Sequence, residues 1–303
     1  MEQFVCDLVD QIQEKVQSNV CVHAENVTKN NGVILHGIFL KRDDAAIAPI
    51  YYAEEFYEKY ENEEMSISEI ADKIICLFEE NGRMMDTFEY ENLFDVDHVK
   101  ERIIFKVVNT EFNEFQLQTV PHIDFFNLSI VFCIFVDANE DYLSTATFTN
   151  SLMDFWGLTV NDLFALAKNN IKRLLPAKIT TMAKALTLED TLSNLLGFDR
   201  CPFFVLSNMV RIGGAATFLY EDVVKDFADC TNSDSVYILP SSINEVLLVP
   251  SCLNVEPEHL LSTVREVNSS TDLVPHEHFL SNEIYVYDRA TDEIRMYETE
   301  VAV

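Results

Sequence analysis

FFVLSNMVRIGGAATFLYEDVVKDFADCTNSDSVYILPSSINEVLLVP runs from Phe203 to Pro250. Within it, short apolar runs over 203–207, 214–219, 235–239 and 244–249 predict strands, and 221–230 predicts a helix. Downstream, a helix is expected over 256–267 and strands over 283–288 and 293–298, the last pair flanking Arg289-Ala-Thr-Asp292. Strands joined by short turns, with helices between them but no regular βαβ alternation, specify an α+β fold. Its sheets should be mainly antiparallel with helices flanking them.

Upstream the same grammar holds. Ile123 to Val136 and Tyr142 to Thr147, rich in Phe, Ile, Val and Thr, predict a hairpin around Asp137-Ala-Asn-Glu-Asp141. A helix should start at a Thr159 cap, with Asp162 in its first turn, and end before Pro176. Helical stretches are expected over 97–109 and 178–196. Ser66-x-x-Glu69 is a capping box stapled by Met65 and Ile70, so a helix is predicted over 66–80, stopped by Asn81-Gly82. Tyr52, Phe56 and Tyr60, four apart, predict another helix within 51–64 whose other face is acidic. Val5, Leu8, Val9, Ile12 and Val16 do the same for 2–18. Val20 to Glu25 and Gly32 to Leu40 read as an antiparallel pair. Two packed subdomains are expected: 1–115, of helix, hairpin and helix, and 116–303, the larger α+β part.

The 303 residues are 48% hydrophobic with only 7 Gly and 8 Pro, which excludes a disordered or fibrous chain. Fifty-one acids against 21 bases leave a formal charge of -30, whose field opposes direct binding to nucleic acid or an anionic membrane. Partners are expected to be basic, neutral or small, with a protein, basic in charge, as the first expectation. The longest apolar stretch, Phe125 to Val136, is short of the roughly 20 residues a membrane span needs. The acidic N-terminus does not read as a secretory signal. Seven scattered Cys without Cys-x-x-Cys are expected to be reduced and mostly buried, so the chain reads as a soluble cytoplasmic protein.

Four phrases occur in a familiar order: Asn31-Gly-Val-Ile-Leu-His-Gly37, Val120-Pro-His-Ile-Asp124, Tyr237-Ile-Leu-Pro-Ser-Ser-Ile-Asn-Glu245 and Leu280-Ser-Asn-Glu-Ile-Tyr-Val-Tyr-Asp288. They resemble the bacterial family called domain of unknown function 5688, from about residue 20 to the end. That resemblance implies organisation but no activity. The family tends to carry His at Asn244 and Asp at Asn282. Both are neutral amides here, which removes two titratable groups a general base would need.

Several constellations invite chemistry. In Leu239-Pro-Ser-Ser-Ile-Asn-Glu245 the hydroxyls of Ser241 and Ser242 stand beside Asn244 and Glu245, though Pro and Ser also make an ordinary turn. His276-Glu277-His278 would present two His to a metal if extended, but lacks third and fourth ligands. His122 and Asp124 form a candidate imidazole–carboxylate pair without a nucleophile. Arg211-Ile-Gly-Gly-Ala215 lacks the frame of a dinucleotide or phosphate loop and reads as a tight turn. Glu54, Glu55, Glu58, Glu61, Glu63 and Glu64 make an acidic run. Lys168, Lys172, Arg173, Lys178 and Lys184 make the one positive island.

No metal, cofactor or catalytic set emerges, and the expectation is a non-catalytic protein–protein interaction module. One alternative is an acidic nucleic-acid mimic that inhibits a DNA- or RNA-binding protein. Another is a hydrolase using Ser241 or Ser242. The expected recognition surface comprises Ser241, Ser242, Asn244 and Glu245 with the Asn282-Glu283 turn, because loops at one end of a sheet converge.

Overall fold

The 3.6-residue spacing of Phe4, Val5, Leu8 and Ile12 builds helix α1, Glu2–Lys15, and buries those four residues. In the computed structural model, which describes residues 1–43, 49–85, 95–139, 142–186 and 201–299, the chain divides into two compact units, 1–95 and 96–303. Residues 96–115 thus fall in the second unit. Side chains are described throughout these spans except at 81–85 and 241.

In the first unit α1 is followed by β1 (Val20–Thr28), β2 (Ile34–Arg42), β3 (Ile50–Tyr52), α2 (Glu54–Glu61) and α3 (Ile67–Met85). The strands form an antiparallel sheet in the order β1-β2-β3, with Val20 opposite Arg42 and Thr28 opposite Ile34. Asn31, at φ 58°, turns the connection. Ile38 and Leu40 share one core with Leu8, Ile12, Ile70, Ile74 and Phe78. The capping box is present: Ser66 N–H donates to Glu69 Oε2 at 2.8 Å, and Glu69 N–H to Ser66 Oγ at 3.3 Å. The expected stop at Asn81-Gly82 does not occur, since α3 continues to Met85. A glycine inside a helix costs only about 1 kcal/mol. The helix expected across 51–64 is likewise shorter, because Tyr51 is drawn into the sheet opposite Ile38.

The second unit holds two antiparallel sheets. The first is built from β4 (Ile103–Asn109), β5 (His122–Phe125), β6 (Leu128–Ala138) and β7 (Leu143–Thr147), with β6 paired to each of the other three. The expected helix over 97–109 is corrected here. Only α4, Val96–Lys100, is helical, and Ile103, Phe105, Val107 and Asn109 alternate into the interior as a strand. β-branched residues at period two pair with β6 more favourably than they coil. The single strand expected over 123–136 is two, broken at Phe126, whose φ is 55°. Between β4 and β5 lie a 3₁₀ turn, Glu111–Asn113, and the one-turn helix α5, Glu114–Leu117.

Helices α6 (Asn150–Trp156) and α7 (Val160–Leu174) follow. Thr159 and Asp162 cap α7 reciprocally, as their spacing predicts. The expected helix over 178–196 is corrected too. Its start is a strand, β8 (Ala177–Thr181), followed by the turn of helix α8 (Met182–Ala185), and 187–200 lie outside the described residues.

The second sheet orders β13 (Glu293–Met296), β12 (Tyr285–Asp288), β10 (Ser235–Ser242), β11 (Glu245–Pro250), β9 (Phe204–Asn208) and β8, all antiparallel. The helices α9 (Val223–Thr231) and α10 (Pro257–Asn268) belong to it. Leu260, Leu261 and Val264 of α10 pack on Leu239, Val249 and Ile284. The strand expected at 214–219 is instead a 3₁₀ helix, with Gly214 through Phe218 buried without alternation. A strand exposes every second residue on one face, whereas this segment lies wholly inside the unit. The cysteines are free, but only Cys133 is fully buried. Cys6, Cys21, Cys76, Cys230 and Cys252 are exposed, against the expectation of mostly buried thiols, because helices and edge strands place them on solvent faces. No helix of the described residues is long and apolar enough to cross a membrane.

Candidate functional site

The β10–β11 turn is assembled from the sequence phrase Leu239 to Glu245. Leu239 faces Leu247, the register slips, and Ser242 then faces Glu245. Pro240, which has no N–H to offer a central strand, lies in that irregularity. Ser242 Oγ accepts the Asn244 N–H at 3.0 Å, and Asn244 Oδ1 accepts the Gly213 N–H at 2.9 Å. Ser207 Oγ donates to the Asn244 carbonyl at 2.6 Å. Ala215 N–H donates to the Ile243 carbonyl at 3.1 Å, and Ile243 N–H to the His278 carbonyl at 2.9 Å. Three phrases far apart in sequence, at 211–215, 242–245 and 276–278, therefore meet at one turn.

Glu245 and Asn244 have different surroundings. Glu245 is half-buried in a recess with Lys178, Thr180, Val205, Ser207, Asn208 and Arg211. The recess encloses about 10 Å³, room for one water and far below the several hundred Å³ of a metabolite pocket. Burial pushes the Glu245 carboxyl above the usual carboxylate range, with the Arg211 charge partly opposing it. A folded-state value above the unfolded one means the folded state holds its proton longer. Stability is then lost as pH rises through that value. Glu245→Gln is accordingly expected to match the parent below the carboxylate range and to become the more stable protein as pH rises to neutrality. Urea midpoints across pH measure it. A Gln variant less stable at neutral pH would show that attraction to Arg211 outweighs burial.

Asn282 and Glu283 reach the same end of the sheet. Ile238 pairs with Tyr285 in antiparallel register, so the residues just before β12 lie across from the end of β10. Their side chains engage α10. Both Glu283 carboxylate oxygens accept Arg265 Nη2, at 3.0 and 3.2 Å, and Asn282 Oδ1 accepts Asn268 Nδ2 at 3.3 Å. Of the expected surface, then, Asn244 is tied into the fold, Glu283 is ion-paired, and Asn282 keeps an exposed side chain. The Ser241 side chain lies outside the described ones.

The remaining sequence candidates are accounted for separately. His276–His278 is a 3₁₀ turn, so its two imidazoles do not share a strand face, and no group of three metal-capable side chains occurs among the described residues. His122 Nε2 lies 4.0 Å from Asp124, while its Nδ1 is 3.1 Å from the Val120 carbonyl oxygen. Glu54 of the acidic run accepts from the His36 amide at 3.0 Å and lies 2.7 Å from the His36 ring. Burial alone would raise its pKa, but those bonds hold it below the usual range. The positive island is dispersed: Lys172 meets Glu221 at 3.3 Å, Arg173 donates to the Glu101 carbonyl, and Lys178 lines the recess.

Beside this turn stands a group of residues that no sequence motif marks as a site. Asn109 and Phe125 both register with Leu128, so the end of β4 and the β5–β6 turn share one end of the first sheet. Buried Asn109 donates to the Leu280 carbonyl and accepts the Phe112 N–H, each at 2.9 Å. Asn127 donates to Ser281 Oγ at 2.7 Å and accepts Tyr285 Oη at 2.5 Å. Two amides thus bind the loops at 110–113 and 126–127 to 279–283, whose neighbour His278 holds the β10–β11 turn. On these loops Phe112 is 43% exposed and Phe126 50%, and Phe115 on the adjoining α5 is 84% exposed. The signal that was available is Glu111-Phe-Asn-Glu-Phe-Gln116, where aromatics alternate with polar residues in no buried pattern.

Fold and site together define an acidic α+β protein of two units with antiparallel sheets, whose loops gather aromatic side chains at one sheet end. The profile of the Family of unknown function (DUF5688) matches residues 1–289, and the chain belongs to that family. No curated protein and no solved structure matches it.

Proposed function

We propose that the protein is a non-catalytic recognition module that acts by protein–protein contact through the end of the second unit where 242–245, 276–283 and 110–127 meet. The observation that supports this reading is the exposure of three phenylalanines, Phe112 and Phe126 on loops fastened by buried Asn109 and half-buried Asn127 and Phe115 on the adjoining helix α5. Exposed aromatics on a rigid frame are hydrated unfavourably when free. They supply contact area at little entropic cost when bound, because their backbone is already ordered.

The test is site-specific photocrosslinking in the native host. A photoreactive phenylalanine analogue replacing Asn282 should give discrete adducts with another protein, and the same analogue replacing exposed Glu2 should not. Equal labelling from both positions, or none from Asn282, would refute the reading.

A further inference from the structure

Resting on that reading, we infer that the aromatic end of the second unit, centred on Phe112, Phe115 and Phe126, takes a basic protein segment carrying apolar anchor residues. Phe112 and Phe115 are three apart on contiguous helical turns, a spacing that sets side chains next to one another. Phe112 is braced edge-on by the rings of His276 and Phe279, at 5.1 and 5.6 Å, and Phe126 lies 5.9 Å from the Tyr285 ring. The exposed faces are therefore held in fixed positions.

Charge selects the occupant. Residues 110–127, 242–245 and 276–283, which meet at this end, contain no Lys or Arg, and Arg211 borders it on the Glu245 side. Glu111, Glu114 and Asp124 stand exposed beside the phenylalanines, and Asp272 is exposed ahead of 276–283. Arg265 of α10 pairs with Glu283, while Asp124 and Glu277 lie 4.0 and 3.9 Å from the His122 and His278 rings. An apolar centre with an acidic rim complements apolar anchors flanked by Lys or Arg. The charges speed encounter and exclude acidic competitors, while the aromatic contacts set the dissociation rate.

The experiment uses the full chain and a fluorescein-labelled amphipathic peptide of leucine and lysine, read by anisotropy at about 0.15 M salt, where close charges still act. Saturable binding is expected. Phe112→Ser with Phe126→Ser should weaken it at least about tenfold, as loss of central aromatic anchors does. Glu111→Gln with Glu114→Gln should weaken it about threefold and flatten its salt dependence. The same peptide with leucines replaced by serine should bind no better to the parent than to the Phe112→Ser, Phe126→Ser protein. If circular dichroism shows that this double variant is unfolded, Phe115→Ser reads the same contact, because a ring 84% exposed contributes little to the core. Unchanged affinity in the phenylalanine variants, or equal binding of the serine peptide, would reduce the effect to general attraction by a chain of charge -30 and overturn the inference. Crosslinks from position 282 combined with that result would leave the recognition module standing with a partner of different chemistry. Absence of both would remove the two together.

Discussion

Gly214→Ala is expected to destabilise the second unit by about 3 kcal/mol or more, at the upper end of what overpacking costs. A Cβ there would lie 2.1 Å from Ser207 Oγ, 2.6 Å from the Asn244 carbonyl oxygen and 2.7 Å from the Asn208 nitrogen. Two of these are backbone atoms that cannot rotate away, and the third is a hydroxyl committed to Asn244. The methyl group would force the 3₁₀ segment off the β10–β11 turn. It would break the bonds from Gly213 to Asn244 and from Ala215 to Ile243. In a thermal scan the transition of the second unit should fall by roughly 6–12 °C. Gly157→Ala is the internal control. Its φ is +63°, unlike that of Gly214, but nothing lies within 4 Å of the added carbon, so only backbone strain of about 1–2 kcal/mol applies. Equal losses at the two positions would show that the close approach at Gly214 is relieved by a small shift.

Phe218→Ala should cost about 3–5 kcal/mol, the range for deleting a fully buried phenylalanine. Its ring stacks on Tyr285 at 5.9 Å with 12° between planes and lies 5.8 Å from Phe125. One side chain of the 3₁₀ segment thus joins β5 of the first sheet to β12 of the second. Because Tyr285 also anchors Asn127, the cavity would loosen the loop that carries Phe126 as well as lower stability. Urea unfolding measures the first effect and the peptide titration the second. Phe218→Leu, which refills part of the volume, should recover part of both. A loss under about 1 kcal/mol for Phe218→Ala would mean that the two sheets close over the cavity without it.

The residues most legible in the sequence were those whose partners are close in the chain. The Ser66–Glu69 and Thr159–Asp162 boxes, the stripe of α1, the β10–β11 hairpin and the helix at 223–231 depend on contacts within a turn or across a short hairpin. Such contacts leave their period in the sequence. The α+β class with antiparallel sheets follows from the same local signals, together with the absence of βαβ alternation.

Tertiary contacts decided the rest. Residues 103–109 and 177–181 form strands because β6 and β9 lie alongside to pair with them. Residues 214–219 coil tightly because the interior they occupy admits no alternating face. The candidate site divides the same way. Pro240 to Glu245 announces an unusual turn, and the antiparallel register of β10 with β12, in which Ile238 faces Tyr285, brings Asn282-Glu283 to it. That Asn244 serves the fold, that Glu283 is held by Arg265, and that Phe112 and Phe126 stand beside them on loops fastened by Asn109 and Asn127 are not written locally. An amide buried in the interior must find a partner wherever the fold places one. Here buried Asn109 reaches Leu280, and half-buried Asn127 reaches Ser281 and Tyr285, each contact spanning more than 150 residues, where no periodicity reaches.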